Sequence, residues 1–362
     1  MFDPHLLAQC SNALGISGFE APLRALIRQE LAPYPNLQLQ SYRSGNLIAT
    51  KQHAQADAPR LMLAAHMDEI GFMVQSITPD GFLTIVPIGG WWNHTLPSQR
   101  MLVRTTHGQL IPAQVGSKPP HLLPESQRRQ VLPDEALCID LGASSEQEVR
   151  ALGIAEGCPV TPDVQLQQLA IPHRWMGKAF DNRVGVYTLI KSMQQLAHEE
   201  LPCTLMGAGT VQEEVGTRGA RALDANLRPD IVIVLEGPPA DDTMGMPSVG
   251  RMGVLGQGVQ VRLYDPTNIT PPELADFVRQ VAQEEDIPCQ WAVRRTGGTD
   301  AAASYPNWSG TPAIVLGVPV RYIHAHNGIL DDRDLDAMLR LAQAIIRKAT
   351  ATQLAPILDP MP

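Results

Sequence analysis

Cys203-Thr204-Leu205-Met206-Gly207-Ala208-Gly209-Thr210-Val211 runs directly into Gln212-Glu213-Glu214-Val215-Gly216-Thr217-Arg218-Gly219. The first part reads as an apolar strand buried in a sheet. The second is a pair of adjacent carboxylates entering a turn punctuated by glycine. Neighbouring residues on an extended backbone point about 180° apart. At a strand end, one glutamate can therefore face a ligand while the other faces a bound water. Two glutamates more commonly form a solvated acidic turn, so the pair gains weight only if His and Asp stand at other strand ends.

Outward from this stretch the same texture recurs. Leu61 to Ala65 is an apolar run that delivers His66-Met67-Asp68-Glu69, Ile231 to Leu235 ends in Glu236-Gly237-Pro238-Pro239, and Ala313 to Val318 is another buried strand. Between these runs the spacing predicts helices at 5–15, Asp181 to His198 and Pro271 to Asp286, with one long helix from Asp332 to Gln353. Ser17-Gly18-Phe19-Glu20 has the spacing of a capping box ahead of a helix bearing Leu23, Leu26, Ile27 and Leu31 on one face. Strands alternating with helices imply a three-layer α/β/α domain. From Gly71 to about Thr161 the pattern changes to short β runs: Phe72 to Ile77, Leu83 to Ile88, Met101 to Thr105 and Leu110 to Val115. That segment reads as a small barrel or sandwich inserted into the α/β domain. Its Pro-rich stretch, Gly116 to Leu132, reads as a mobile loop.

Composition narrows the classes. The chain has 362 residues, 44% hydrophobic and 18% charged, so a sizeable core can form. A net charge of -9 argues against a nucleic-acid surface. The N-terminus lacks a basic region followed by an apolar run, and no uncharged apolar run is long enough for a membrane span. The five cysteines are scattered, with no Cys-x-x-Cys, and read as reduced thiols of a cytosolic protein.

Five positions can supply metal ligands at strand ends: His66, Asp181, the Glu213-Glu214 pair, Glu236 and His324. In open α/β sheets, sites assemble at the carboxyl ends of parallel strands. Two histidines and three carboxylates can hold two divalent ions if one carboxylate bridges. A further carboxylate can then move the proton of an attacking water. Each residue also has a plain structural reading. His66 can be a hydrogen-bonded core residue, Asp181 a helix N-cap, Glu236 a turn residue and His326 a loop residue beside Asn327-Gly328.

Taken in order, Ser17-Gly18-Phe19-Glu20, Ala65-His66-Met67-Asp68-Glu69-Ile70-Gly71, Gly177-Lys178-Ala179-Phe180-Asp181-Asn182-Arg183, Gln212-Glu213-Glu214-Val215-Gly216, Gly297-Gly298-Thr299-Asp300 and Arg321-Tyr322-Ile323-His324 resemble the M42 metallo-aminopeptidases. That group includes glutamyl and tetrahedral aminopeptidases and bacterial members labelled endoglucanase-like. The resemblance implies that His66 and Glu236 bind one ion, Glu214 and His324 the other, and that Asp181 bridges. It implies Glu213 as general base and Asp68 as the hydrogen-bond partner of His66. Gly298, Thr299 and Asp300 would belong to a substrate-side loop. It also implies two divalent ions per subunit (zinc, cobalt or manganese), peptide substrates, a catalytic domain formed by 1–68 and 164–362, and a dimerisation barrel at 69–163. The homo-oligomer would be a dimer or a dodecamer. The chain departs from the family in having Glu236 where Asp is frequent. It also has Ala325-His326-Asn327 after His324, which leaves His326 as a second choice of ligand. A deacylase of N-acyl amino acids on the same scaffold, a glucanase and a metal-retaining scaffold are the competing readings. The low aromatic content, 5%, weighs against a polysaccharide cleft.

Overall fold

The computed structural model describes residues 2–308 and 310–359. Among these, the strands are β1 (Gln38–Ser41), β2 (Leu47–Lys51), β3 (Arg60–His66), β4 (Gly71–Ile77), β5 (Leu83–Ile88), β6 (Arg100–Arg104), β7 (Leu110–Ser117), β8 (Leu137–Asp140), β9 (Pro159–Pro162), β10 (Gln167–Gln168), β11 (Arg174–Gly177), β12 (Thr204–Thr210), β13 (Ile231–Glu236), β14 (Val259–Asp265), β15 (Asn268–Ile269), β16 (Cys289–Val293), β17 (Ala313–Gly317) and β18 (Gly328–Asp331). The helices are α1 (Pro4–Asn12), α2 (Ala21–Leu31), α3 (Glu146–Ala151), α4 (Phe180–Leu196), α5 (Arg218–Arg221), α6 (Pro272–Glu284), α7 (Ala301–Asn307), α8 (Asp332–Lys348) and α9 (Ala351–Leu358).

The large sheet runs β1-β2-β12-β3-β13-β17-β14-β15, with β16 also on β14. Its centre is parallel: β12, β13 and β17 run with β3 in register, Thr210 beside His66 and Val234 beside Ala64. Alternation along these strands builds two cores. Leu61, Leu63, Ala65, Ile231, Ile233 and Leu235 face α4, α8 and their neighbours. Met62, Ala64, Met206, Ala208, Val232 and Val234 pack with Ala301 of α7 on the opposite face. Both faces are covered, which is why these strands read as continuous apolar runs. The result is the three-layer α/β/α arrangement.

Between β3 and β11 the chain forms a closed barrel, β4-β5-β8-β7-β6-β9, with its own core of Phe72, Leu83, Met101, Val103, Val115, Ile139 and Val160. Its first and last strands pair, Phe72 opposite Val160, so the chain leaves and re-enters the α/β layers side by side. No described helix is long and apolar enough to cross a membrane.

Several elements differ from the sequence reading. Ser17 does not cap α2: its hydroxyl donates to Asp68 Oδ2 at 2.6 Å, and the Glu20 carboxylate accepts from Gly18 and Gln212. The long C-terminal helix is two helices, because Thr350 takes an extended backbone (ψ 155°) and caps α9 with its own hydroxyl. A small antiparallel sheet, β10-β11-β18, is not visible in the sequence pattern, because its strands are only two to four residues long. It delivers Asp181 and lies just after His324.

Candidate active site

Three adjacent parallel strands deliver the first part of the site. His66 is the last residue of β3 and Glu236 the last of β13, while Glu213 and Glu214 follow β12. The other two candidates come from outside the large sheet. Asp181 lies at the start of α4, just past β11. His324 lies in a turn between β17 and β18, not at a strand end as expected.

The two glutamates diverge for a different reason from the one the sequence suggests. The backbone is not extended there: Gln212 has φ +55°, and Glu213 O accepts from Gly216 N and Thr217 N, both at 2.9 Å. A tight turn, not strand alternation, sends Glu213 Oε2 to 3.9 Å from His66 Nε2 and Glu214 Oε2 to 3.4 Å from His324 Nε2.

Asp181 is not a helix cap. Asn182 Oδ1 makes the capping bond instead, accepting from Gly185 N at 3.0 Å, and the two oxygens of Asp181 reach opposite ways. Oδ1 is 3.1 Å from His66 Nε2 and Oδ2 is 3.3 Å from His324 Nε2. Glu236 Oε2 stands 3.7 Å from His66 Nε2. Potential ligand atoms therefore form two clusters, His66–Asp181–Glu236 and Asp181–Glu214–His324, sharing Asp181. The approach of β13 to α4 requires Gly237, where a Cβ would lie 2.5 Å from Phe180 O. Asn182 secures the contact by donating to Leu235 O at 2.6 Å.

Asp68 is buried behind His66 and does more than the resemblance implies. Oδ1 lies 3.3 Å from His66 Nδ1, close but off the line of a full hydrogen bond. Its better bonds go elsewhere: Oδ1 accepts from Glu213 N (3.0 Å) and Oδ2 from Glu214 N (3.1 Å) and Ser17 Oγ (2.6 Å). The same carboxylate thus fixes the glutamate turn and flanks the histidine.

The remaining expected residues lie differently. Thr299 and Asp300 are 2% and 3% exposed. Thr299 accepts from Ala301 N, and Asp300 Oδ2 accepts from Thr210 Oγ1 at 2.5 Å, while Asp300 Oδ1 is buried without a hydrogen-bond partner. Gly298 packs against Thr267. His326 belongs to neither ligand cluster; its ring points into the barrel at Met101.

Charge in the site is poised for cations. Burial disfavours charge on both histidines, yet the acids win: Glu236, Asp181 and Asp68 hold His66 well above the usual imidazole value, and Asp181 and Glu214 push His324 up to about 11. Burial, reinforced by neighbouring acids, raises Glu213, Glu214 and Glu236 and pushes Asp300 up to about 7. Asp181 goes the other way, because His324 and His66 outweigh its burial. Acids driven toward neutrality beside imidazoles driven toward charge are groups that share protons where a cation can replace them. Glu214 Oε1 is buried without a hydrogen-bond partner, as an oxygen kept for a ligand would be. The set of imidazole nitrogens and carboxylate oxygens suits borderline divalent ions.

Residues that sequence reasoning missed are those acting on the backbone of the site. Asn182 is one. Glu20 and Asn46 are others, bonding Gln212 N and Val211 N beside the glutamate turn. Glu20 and Asn182 stand in motifs already noted, but the partners of all three lie far off in the chain, so no local pattern shows these roles.

The family model for M42 glutamyl aminopeptidase matches residues 45–341. The glutamyl aminopeptidase of Lactococcus lactis subsp. cremoris is 35% identical over 342 residues, covering 94% of this chain and 95% of that protein. The TET aminopeptidase of the marine sediment archaeon Thaumarchaeota archaeon SCGC AB-539-E09 superposes with a TM-score of 0.92 at 34% identity, covering 97% of this chain and 98% of that one. PhTET1-12s, solved as a dodecamer, superposes with a TM-score of 0.83 at 29% identity, covering 96% and 100%. The chain therefore belongs to the M42 glutamyl aminopeptidase family, enzymes that hydrolyse peptide bonds.

Proposed function

We propose that the protein is an aminopeptidase that removes the N-terminal residue of peptides at a two-cation site, with Glu213 moving the proton. The carrying observation is the geometry of Asp181, whose two oxygens each face a different histidine, and each histidine has its own additional carboxylate. His66, Asp181 and Glu236 would hold one cation, and Asp181, Glu214 and His324 the other. Zinc, cobalt or manganese suits these donors, and ions there would supply Lewis acidity that polarises a carbonyl and lowers the pKa of water.

The chain's own residues do the rest. Glu213 is outside both ligand clusters, 14% exposed, and aimed at the same space as His66. Its carboxylate can accept the proton of an attacking water and pass it to the departing amine. General base action of this kind contributes about 10²–10⁴ in rate. Asp68 holds Glu213 and Glu214 by their backbone N–H groups, so the proton acceptor and a ligand keep a fixed separation. Exposure rises from His66 (1%) to His324 (34%), so substrate enters on the His324 side.

Glu213→Gln is expected to lose about 10²–10⁴ of the hydrolysis rate while keeping its metal content, and Asp181→Ala to lose metal, read by p-nitroanilide assay and elemental analysis. Near wild-type turnover in Glu213→Gln would remove the role assigned to it. The barrel is assigned to dimerisation, supported by exposed Phe82, Val86 and Leu110 on its surface. One structural relative, PhTET1-12s, was solved with a dodecamer in the asymmetric unit, which supports further assembly. Free cysteines throughout fit a reducing, cytosolic setting.

A further inference from the structure

Among the candidate ligands, His324 has the least support from regular structure. It lies in the segment 318–327 joining β17 to β18. The beginning of this segment is well held. Val320 N donates to Pro238 O at 2.8 Å, Arg321 and Ile329 exchange backbone bonds of 2.9 and 3.1 Å, and the Arg321 guanidinium grips Asp242 at 2.9 and 2.6 Å. From Tyr322 to Asn327 the chain makes only a short turn, and none of these residues belongs to a strand or helix. Tyr322 and His324 nevertheless adopt left-handed φ angles of +63° and +56°. Non-glycine residues keep such angles only where their surroundings impose them.

What surrounds the segment is the barrel. The His326 side chain is buried, 2% exposed, and its Nε2 lies 3.0 Å from Met101 Sδ on β6. A thioether carries no proton, so Nε2–H is the donor. The imidazole also meets the Trp91 ring at 5.6 Å. Trp91 is itself fixed, stacked on Phe72 at 4.9 Å and donating its indole N–H to Gly71 O at 2.9 Å. Next to Trp91, a Cβ added at Gly90 would stand 3.3 Å from His324 Nδ1, so the barrel also borders the His324 ring.

We propose that His326 is a positioning residue: seated in the barrel wall between Trp91 and Met101, it fixes the backbone that aims His324 and thereby sets cation affinity at the Asp181–Glu214–His324 cluster. The assignment rests on the two-cation reading. It predicts asymmetry, because His66 and Glu236 are held by the strand ends of the large sheet and do not depend on His326.

Zinc binding to wild type, His326→Ala and His326→Phe, measured by competition with a chromophoric chelator, tests this. His326→Ala should release one of two ions about tenfold more readily, the other holding as in wild type, with little change in melting temperature. His326→Phe preserves ring volume against Trp91 and should recover most of the loss. Trp91→Leu, made from the barrel side, should reproduce the selective loss and stands in if His326→Ala does not fold. Two ions held at wild-type affinity in His326→Ala or Trp91→Leu would overturn the role of His326. Equal weakening of both ions together with a fall in melting temperature would also overturn it, since that marks a general structural defect. Wild-type protein that takes up no zinc would contradict the two-cation reading itself.

Discussion

Asp68 shows how much of the site rests on a single side chain that need never touch a substrate. It accepts three hydrogen bonds, from Ser17 Oγ, Glu213 N and Glu214 N, and lies behind His66. Burial opposes its charge, but His66, Ser17 and the Glu213 N–H hold its pKa below the ordinary value. Asp68→Ala would leave these donors buried and unpaired. The expected cost is about 3 kcal/mol or more of stability, measured by denaturant unfolding, together with loss of turnover. Stability within a few tenths of a kcal/mol of wild type would contradict this. At this scale, the residues that form the two candidate clusters were legible in the sequence because each stands near the end of an apolar run or inside a distinctive motif. Asp68 was legible as a neighbour of His66. Its hold on the glutamate turn was not, because Glu213 lies far along the chain and the bonds use backbone groups.

The turn after β12 is the element on which the proposed chemistry depends. Gly219 N donates to Val211 O at 2.8 Å, and Asn46 clamps both ends, accepting from Val211 N and donating to Gly219 O. A Cβ on Gly219 would lie 2.3 Å from Val211 O, so only glycine fits the returning chain. Asn46→Ala should cost about 2 kcal/mol, since it strands two buried backbone groups. The measurement is the shift in denaturant midpoint, and no shift would show that the clamp is dispensable. The central strands were legible because layers on both faces make them apolar throughout, and the barrel because its short runs recur between Gly and Pro. The small sheet β10-β11-β18 was not, because strands of two and four residues are too short to show a period. Asp181 was consequently placed at a strand end from its motif alone. The turn itself was read as the tip of an extended strand, since Gln212 at φ +55° has no mark in the sequence.

For the whole molecule, the insertion of the barrel determines how the site is enclosed. Because β4 and β9 pair beside the exit of β3, the barrel stands next to the strand ends, and its Gly90–Trp91 segment reaches His324. The proposed assembly predicts that the purified protein sediments as a homo-oligomer larger than the 39.4 kDa chain. A monomer at micromolar concentration would contradict the dimerisation role of the barrel. A two-cation aminopeptidase site can be tested by titrating zinc, cobalt or manganese into chelator-stripped protein. The readout is hydrolysis of an amino-acid p-nitroanilide and of its N-acetylated form. No activity is expected without metal, with recovery that saturates at two equivalents per subunit and turnover of the free-amine substrate only. Activity that survives chelation, saturates at one equivalent, or extends equally to the acetylated substrate would contradict it.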